Sequence, residues 1–208
     1  MKKVLLSLGV AMAIATGVQA QTGYGIKAGV NLGEYSNMPS GQSVNTSFYV
    51  TGYADLPVAS NFSIQPGISL QGKGTKYDFK DGSSSAEITR NVMSIEIPVN
   101  AVYYIPTGES GKFFVGAGPY IGFNVSGRDK AKAVTGSLNI SDDYKLKLSG
   151  SNKDLNVIDA GANFMLGYKF SNGFLLNAGY NLGLTNIVAG SDKIVSNRVW
   201  QFGVGFQF

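Results

Sequence analysis

Hydrophobic and polar residues alternate with a period of two along most of this chain. In the clearest case Trp200, Phe202, Val204, Phe206 and Phe208 take one face, and Val199, Gln201, Gly203, Gly205 and Gln207 the other. A period of two belongs to an extended strand, whose successive side chains point to opposite sides of a sheet. Earlier segments repeat it: Tyr24, Ile26, Ala28, Val30 and Leu32 oppose Gly23, Gly25, Lys27, Gly29 and Asn31. The same alternation runs through residues 48–56, 62–71, 93–104, 113–124, 158–170 and 174–184. The eight segments are about ten residues each, the length a tilted strand needs to cross a bilayer. No helical period competes with them.

The connections sort by length in step with the strands. Residues 57–61, 106–111 and 171–173 are short links, whereas 33–46, 72–90, 127–154 and 185–197 are long and polar. Short turns at one end and long loops at the other are the asymmetry of an outer-membrane barrel with periplasmic termini. The expected fold is therefore all-β, an eight-stranded antiparallel up-and-down transmembrane β-barrel. Within the long links, Asp81-Gly82 predicts a tight turn between two short strands. A second hairpin is expected from residues 138–140 and 144–148, with Ser141-Asp142-Asp143 at its tip. Pro66, Pro98 and Pro119 lie inside strands, where each removes a ladder donor, so bulges or local irregularity are expected there.

The first twenty residues follow a different pattern. Met1-Lys2-Lys3, an apolar run over residues 4–16, and Val18-Gln19-Ala20 have the form of a secretory signal peptide. Residues 1–20 are read as a leader and 21–208 as the barrel domain, with a mature chain from about Gln21 in the bacterial outer membrane. Cysteine and histidine are both absent, which removes thiolate chemistry and the commonest general base. The net charge of +4 drops to about +2 without Lys2 and Lys3, too small an excess for a nucleic-acid footprint.

Alternation alone leaves open a soluble, lipocalin-like barrel with its apolar face inward. The composition of the polar face argues otherwise. It is built mainly from Gly, Asn, Ser and Gln, small groups that fit a narrow eight-stranded lumen, where a wetted exterior would carry Lys, Glu and Thr. The aromatics Tyr24, Phe62, Tyr103, Phe113, Tyr168, Phe170, Phe174, Phe206 and Phe208 all fall at the short-turn end of the apolar face. A ring of aromatics at a bilayer interface accounts for that placement.

Several blocks carry a family resemblance. Ile95-Glu96-Ile97-Pro98-Val99, Gly116-Ala117-Gly118-Pro119-Tyr120-Ile121-Gly122 and the run from Tyr180 to Ile187 resemble recurring blocks of the Bacteroidetes outer-membrane β-barrel family that includes PorT-type proteins. Gly25-Ile26-Lys27-Ala28-Gly29-Val30-Asn31 is similar as well, and the likeness covers essentially the whole mature chain. The resemblance implies the barrel fold and no shared catalytic set; its PorT-type members imply a tie to protein secretion and gliding. The alternating aromatics Trp200, Phe202, Phe206 and Phe208 resemble the closing strand that barrel-assembly machinery recognises during insertion.

The inward charges are Lys27, Asp55, Glu96, Asp159 and Lys169, with Tyr49, Tyr53, Tyr104, Phe114 and Tyr120 beside them. They are read as a structural, ion-paired plug, in preference to a polar pathway, because eight strands leave room for little besides side chains. Glu96 and Asp159 are expected to find partners among Lys27, Lys169, the tyrosines or backbone donors. No catalytic, metal or cofactor site is expected: Gly108-Glu109-Ser110-Gly111 is one residue short of a nucleophile elbow, and Asp142-Asp143 lacks a ligand series. Arg128, Lys130, Lys132, Lys145, Lys147 and Lys153 share one long loop with four Asp residues, either as a solvated surface or as contacts to lipopolysaccharide phosphates. The chain is read as a monomer surrounded by outer-membrane lipids, with a structural or surface-interaction role and an extracellular or secretion-system protein partner left open. A narrow channel for small solutes and a soluble ligand-binding barrel are the alternatives.

Overall fold

The computed structural model describes residues 22–38, 41–82, 84–135, 138–191 and 193–208; the assigned leader and Gln21 lie outside them. Among the described residues the strands are β1 (Gly23–Tyr35), β2 (Gln42–Ser43), β3 (Asn45–Ala59), β4 (Phe62–Asp81), β5 (Ser84–Pro106), β6 (Gly111–Thr135), β7 (Leu138–Lys145), β8 (Ile158–Phe170), β9 (Phe174–Gly183) and β10 (Asn197–Gln207).

Eight of them close a ring through antiparallel pairs, in the order β1-β3-β4-β5-β6-β8-β9-β10 and back to β1. The closing strand β10 is paired along both edges, Phe206 lying opposite Ile26 of β1 and Phe174 of β9. Its last amide, on Phe208, donates to the Tyr24 carbonyl at 2.8 Å. Closure matters because an unpaired backbone group in hydrocarbon costs on the order of several kcal/mol. The two short strands stand outside the ring, β2 against β4 and β7 against β6.

The alternation resolves into an apolar exterior. Tyr24, Phe113 and Phe208 are 63%, 53% and 80% exposed, while Asn31, Glu96 and Asp159 on the other face are at most 1% exposed. Such a contiguous apolar surface does not belong on a soluble monomer. At the short-turn end the outward rings touch in series: Phe113 with Tyr168, Tyr168 with Phe170, and Phe170 with Phe174, at centroid distances of 4.8, 4.8 and 5.9 Å. Tyr180 and Trp200 pack at 4.8 Å on the same outer face. Trp200, Phe202, Phe206 and Phe208 therefore all face outward from β10.

Three strands are longer than the periodicity predicts. β4, β5 and β6 run for 20, 23 and 25 residues, about twice a membrane crossing, and continue beyond the ring as a ribbon joined by β7. The turn at Asp81-Gly82 lies where its signal predicts, with Asp81 opposite Ser84 and Gly82 at φ 54°. The second hairpin differs from the expectation. Ser141-Asp142-Asp143 is mid-strand in β7, and the hairpin closes between Thr135 and Leu138. There Asp143 faces Lys130 across the ladder and pairs with Arg128 at 3.3 Å.

Pro66, Pro98 and Pro119 interrupt pairing without shifting it. β4 and β5 pair at Pro66–Val99 and resume at Ser69–Glu96 in the same register, and β5 and β6 skip from Pro98–Tyr120 to Ala101–Ala117. Register shifts occur elsewhere, between Pro57 and Ala59 in β3 and between Met93 and Ser94 in β5.

Candidate functional site

The inward residues of the eight strands fill the lumen in layers. At the short-turn end, Asp55 on β3 accepts hydrogen bonds from Gln65 at 3.0 Å, Tyr104 at 3.2 Å and Gln207 at 2.9 Å. Lys169 on β8 donates to Gln207 at 3.1 Å and stands 5.1 Å from the Tyr104 ring centroid. Tyr53, Val102, Tyr104, Phe114 and Leu175 pack together around this layer.

The middle layer is uncharged apart from Lys27. Asn31 and Gln201 both donate to the Gln71 side-chain carbonyl, at 2.8 and 2.9 Å, and Gln71 donates to Ser69 at 2.9 Å. Ser69 meets Thr51 at 2.6 Å, and Asn177 donates to the Tyr49 hydroxyl at 2.8 Å. Lys27 is buried here with its ammonium 3.7 Å from the Met165 sulfur and 4.6 Å from the Tyr53 ring centroid.

Nearer the ribbon lies an ion cluster centred on Lys73. Its ammonium pairs with the carboxylate of Glu96 and, at 2.8 Å, with that of Asp159. Asp159 also accepts from Asn197 at 2.8 Å and from Thr185 at 3.3 Å, and the Tyr120 ring lies 4.6 Å from the Lys73 ammonium. All three charged side chains are at most 1% exposed. Of the partners expected for the two carboxylates, a tyrosine is found, the Tyr120 hydroxyl donating to Asp159 at 3.4 Å. The lysines are corrected, since neither Lys27 nor Lys169 reaches them and Lys73 does. The period-two signal of β4 places Lys73 inward, two residues past Gln71, but its position in a polar stretch beginning at Gly72 gives it the look of a loop residue.

Beyond the ion cluster, apolar side chains cap the lumen. Tyr35, Ile187 and Val195 form one group, with Met38 and Val188 against it; Val92, Leu146 and Leu155 form another. Both rest partly on links between strands, through Ile187, Val188 and Val195 in the first and Leu146 and Leu155 in the second.

The ribbon reverses the polarity of the barrel. Across one row its residues are Phe79, Ala86, Ala133 and Ile140, and across the next Asp78, Glu87, Lys132 and Ser141. The apolar row continues the lumen-facing side and the charged row the outward side, so apolar-out becomes charged-out past Val125. A register shift helps to make the change. Met93 pairs with Ser126 but Ser94 with Asn124, so odd residues of β6 turn inward beyond that point. Asp129 then meets Arg90 in a bidentate pair at 2.8 and 2.6 Å. On the outer face Lys76 contacts Glu87 at 2.8 Å and Asp78 at 3.3 Å. The hydrogen bond from Lys76 holds the Glu87 carboxyl below its usual range.

Among the described residues no group of three or more acids stands close enough to hold a metal ion. The family model described as outer membrane protein beta-barrel domain matches residues 19–189 of the chain. No curated protein matches it. Among solved structures, it is similar to Ail, the attachment invasion locus protein of Yersinia pestis, at 14% identity, with 90% of this chain and 99% of that chain covered and a TM-score of 0.41. It is also similar to Neisserial surface protein A at 15% identity, with 89% and 95% covered and a TM-score of 0.44. The N-terminal β-barrel domain of Pseudomonas aeruginosa OprF gives 14% identity, 91% and 100% coverage and a TM-score of 0.39.

Proposed function

As the chain belongs to the outer membrane protein beta-barrel domain family, we propose that it is a closed, non-catalytic barrel whose working surface is the ribbon. In this reading the short turns and both termini are periplasmic and the ribbon stands outside the cell. The observation that carries it is the Lys73–Glu96–Asp159 cluster, which bridges β4, β5 and β8 across the lumen. A desolvated ion pair held by further hydrogen bonds resists removal, because parting it leaves a charge buried alone. A barrel sealed in this way does not conduct and serves as a rigid mount.

Outward cations Lys76, Arg128, Lys130, Lys132 and Lys145 begin where the apolar band ends. That height suits contact with lipopolysaccharide phosphates, although Asp78, Glu87 and Asp143 on the same face offset part of the charge. The blocks around Pro98 and Pro119 resemble those of the wider family that includes PorT-type barrels, and secretion machinery is the partner that such a subtype would imply. Planar-bilayer recordings of the refolded protein test the closed-barrel reading. The expected result is no reproducible conductance step; a stable step of fixed size would establish the narrow channel instead.

A further inference from the structure

The plug is not equally tight along its length. A bowl of about 510 Å³ opens at the short-turn end, and its lining includes Lys169 and Gln207. Those two residues also line a neck of about 10 Å³, whose far wall includes Lys27. Lys27 in turn lines a cavity of about 40 Å³ that extends to Ser69, Asn100, Asn163 and Glu96. The three spaces therefore follow one another, each sharing a side chain with the next. A water needs roughly 10–15 Å³ and two to four polar partners, so the neck admits about one molecule and the inner cavity about three or four.

Three polar groups at the inner cavity point to its occupant. Lys27 is 8% exposed, and its ammonium contacts a thioether and a ring face, which are weak partners for a charge. The side-chain carbonyls of Asn100 and Asn163, 7% and 9% exposed, have no hydrogen-bond partner among the described residues. Unmade hydrogen bonds on buried groups are costly, and water both accepts from an ammonium and donates to a carbonyl. The opposite end of the lumen also holds buried polar atoms without a partner, among them Thr75 Oγ1, Asn124 Oδ1 and Asn197 Oδ1, but there the ion cluster and apolar caps stand across the lumen.

We propose that the lumen is a half-channel for water, entered from the short-turn end, partitioned by the Lys27 side chain and closed at Glu96 by its pairing with Lys73. The occupant is a short file of waters that solvates Lys27 and satisfies Asn100 and Asn163. This rests on the closed-barrel reading only for its blind end: a conductance step in the unaltered protein would defeat that end, whereas the entry path has its own readout.

Two measurements on the refolded full chain test it. In a high-resolution crystal structure, ordered water is expected between Lys27 and the two asparagines; a dry cavity overturns the proposal. Separately, Ser69→Cys places a thiol at the inner cavity and Thr75→Cys one beyond Lys73, each made with and without Lys27→Ala. Heat-modifiable migration confirms that every variant is folded before methyl methanethiosulfonate is added. Removing the partition is expected to raise the Ser69→Cys modification rate by about tenfold or more, since thiol reactivity follows access. The Thr75→Cys rate is expected to stay the same. No acceleration at Ser69→Cys, or equal acceleration at both sites, refutes an internal partition at Lys27.

Discussion

At the scale of single residues, the lumen is governed by which charges find partners. Lys73 is flanked by two carboxylates, so replacing it with methionine leaves Glu96 and Asp159 buried side by side without a cation. Removing one member of a buried pair typically costs about 3–5 kcal/mol. Lys73→Met is therefore expected to lower the urea midpoint of the refolded barrel strongly. Adding Glu96→Gln and Asp159→Asn to it should restore most of the loss, because neutral amides leave no charge to solvate. If the triple variant is as unstable as the single one, charge pairing is not what Lys73 supplies. Glycines complete the lumen at the same scale: a Cβ on Gly25 would strike the Tyr53 ring, and one on Gly167 the Phe114 ring. Large rings fit a narrow barrel only where the opposite backbone is bare.

At the scale of elements, the ribbon differs in kind from the strands that feed it. Its outer face is held by exposed ion pairs, which contribute little individually and are screened by salt. Glu87 has a folded-state pKa below its ordinary value, chiefly through its hydrogen bond from Lys76. Its contribution is therefore fully present above the ordinary glutamate pKa and is lost as pH falls through the lowered one. Hydrogen exchange at matched intrinsic rates should reveal faster opening of the β4–β5 tip near about pH 3 than at neutral pH. The ring strands, whose ladders are shielded from water, should change far less. Equal protection of the tip at both values would remove these pairs from any account of ribbon stability.

At the scale of the whole molecule, closure is the feature on which the rest depends. β10 is the last strand of the ring and completes ladders with both β1 and β9. Deleting residues 206–208 removes paired backbone and outward aromatics at one rim, exposing groups that cost several kcal/mol each in hydrocarbon, on the order of the total stability of a small domain. Deleting residues 133–140 shortens the ribbon in water and leaves the ring intact. Outer-membrane yield and heat-modifiable migration, at matched expression, should fall sharply for the first variant and little for the second. Equal assembly of the two would contradict the role given to the closing strand.

Much of this architecture is written in the alternation itself. Period two, segments of about ten residues and a Gly- and Asn-rich polar face determine strands, their number in the ring and which face meets lipid, because the environment on each side selects side chains one by one. The inward placement of Asp55, Glu96 and Asp159 follows from the same parity. What parity does not carry is height around a tilted barrel, and pairing in the lumen depends on height. Lys27 and Lys169 share a face with Glu96 and Asp159 yet lie in other layers, while Lys73 is brought against them from a stretch that reads as loop. The tertiary structure also decided where β6 shifts register and the ribbon turns its apolar side inward. A bulge changes which residues meet across a ladder without altering the alternation on the partner strand, so only the paired sheet reveals it.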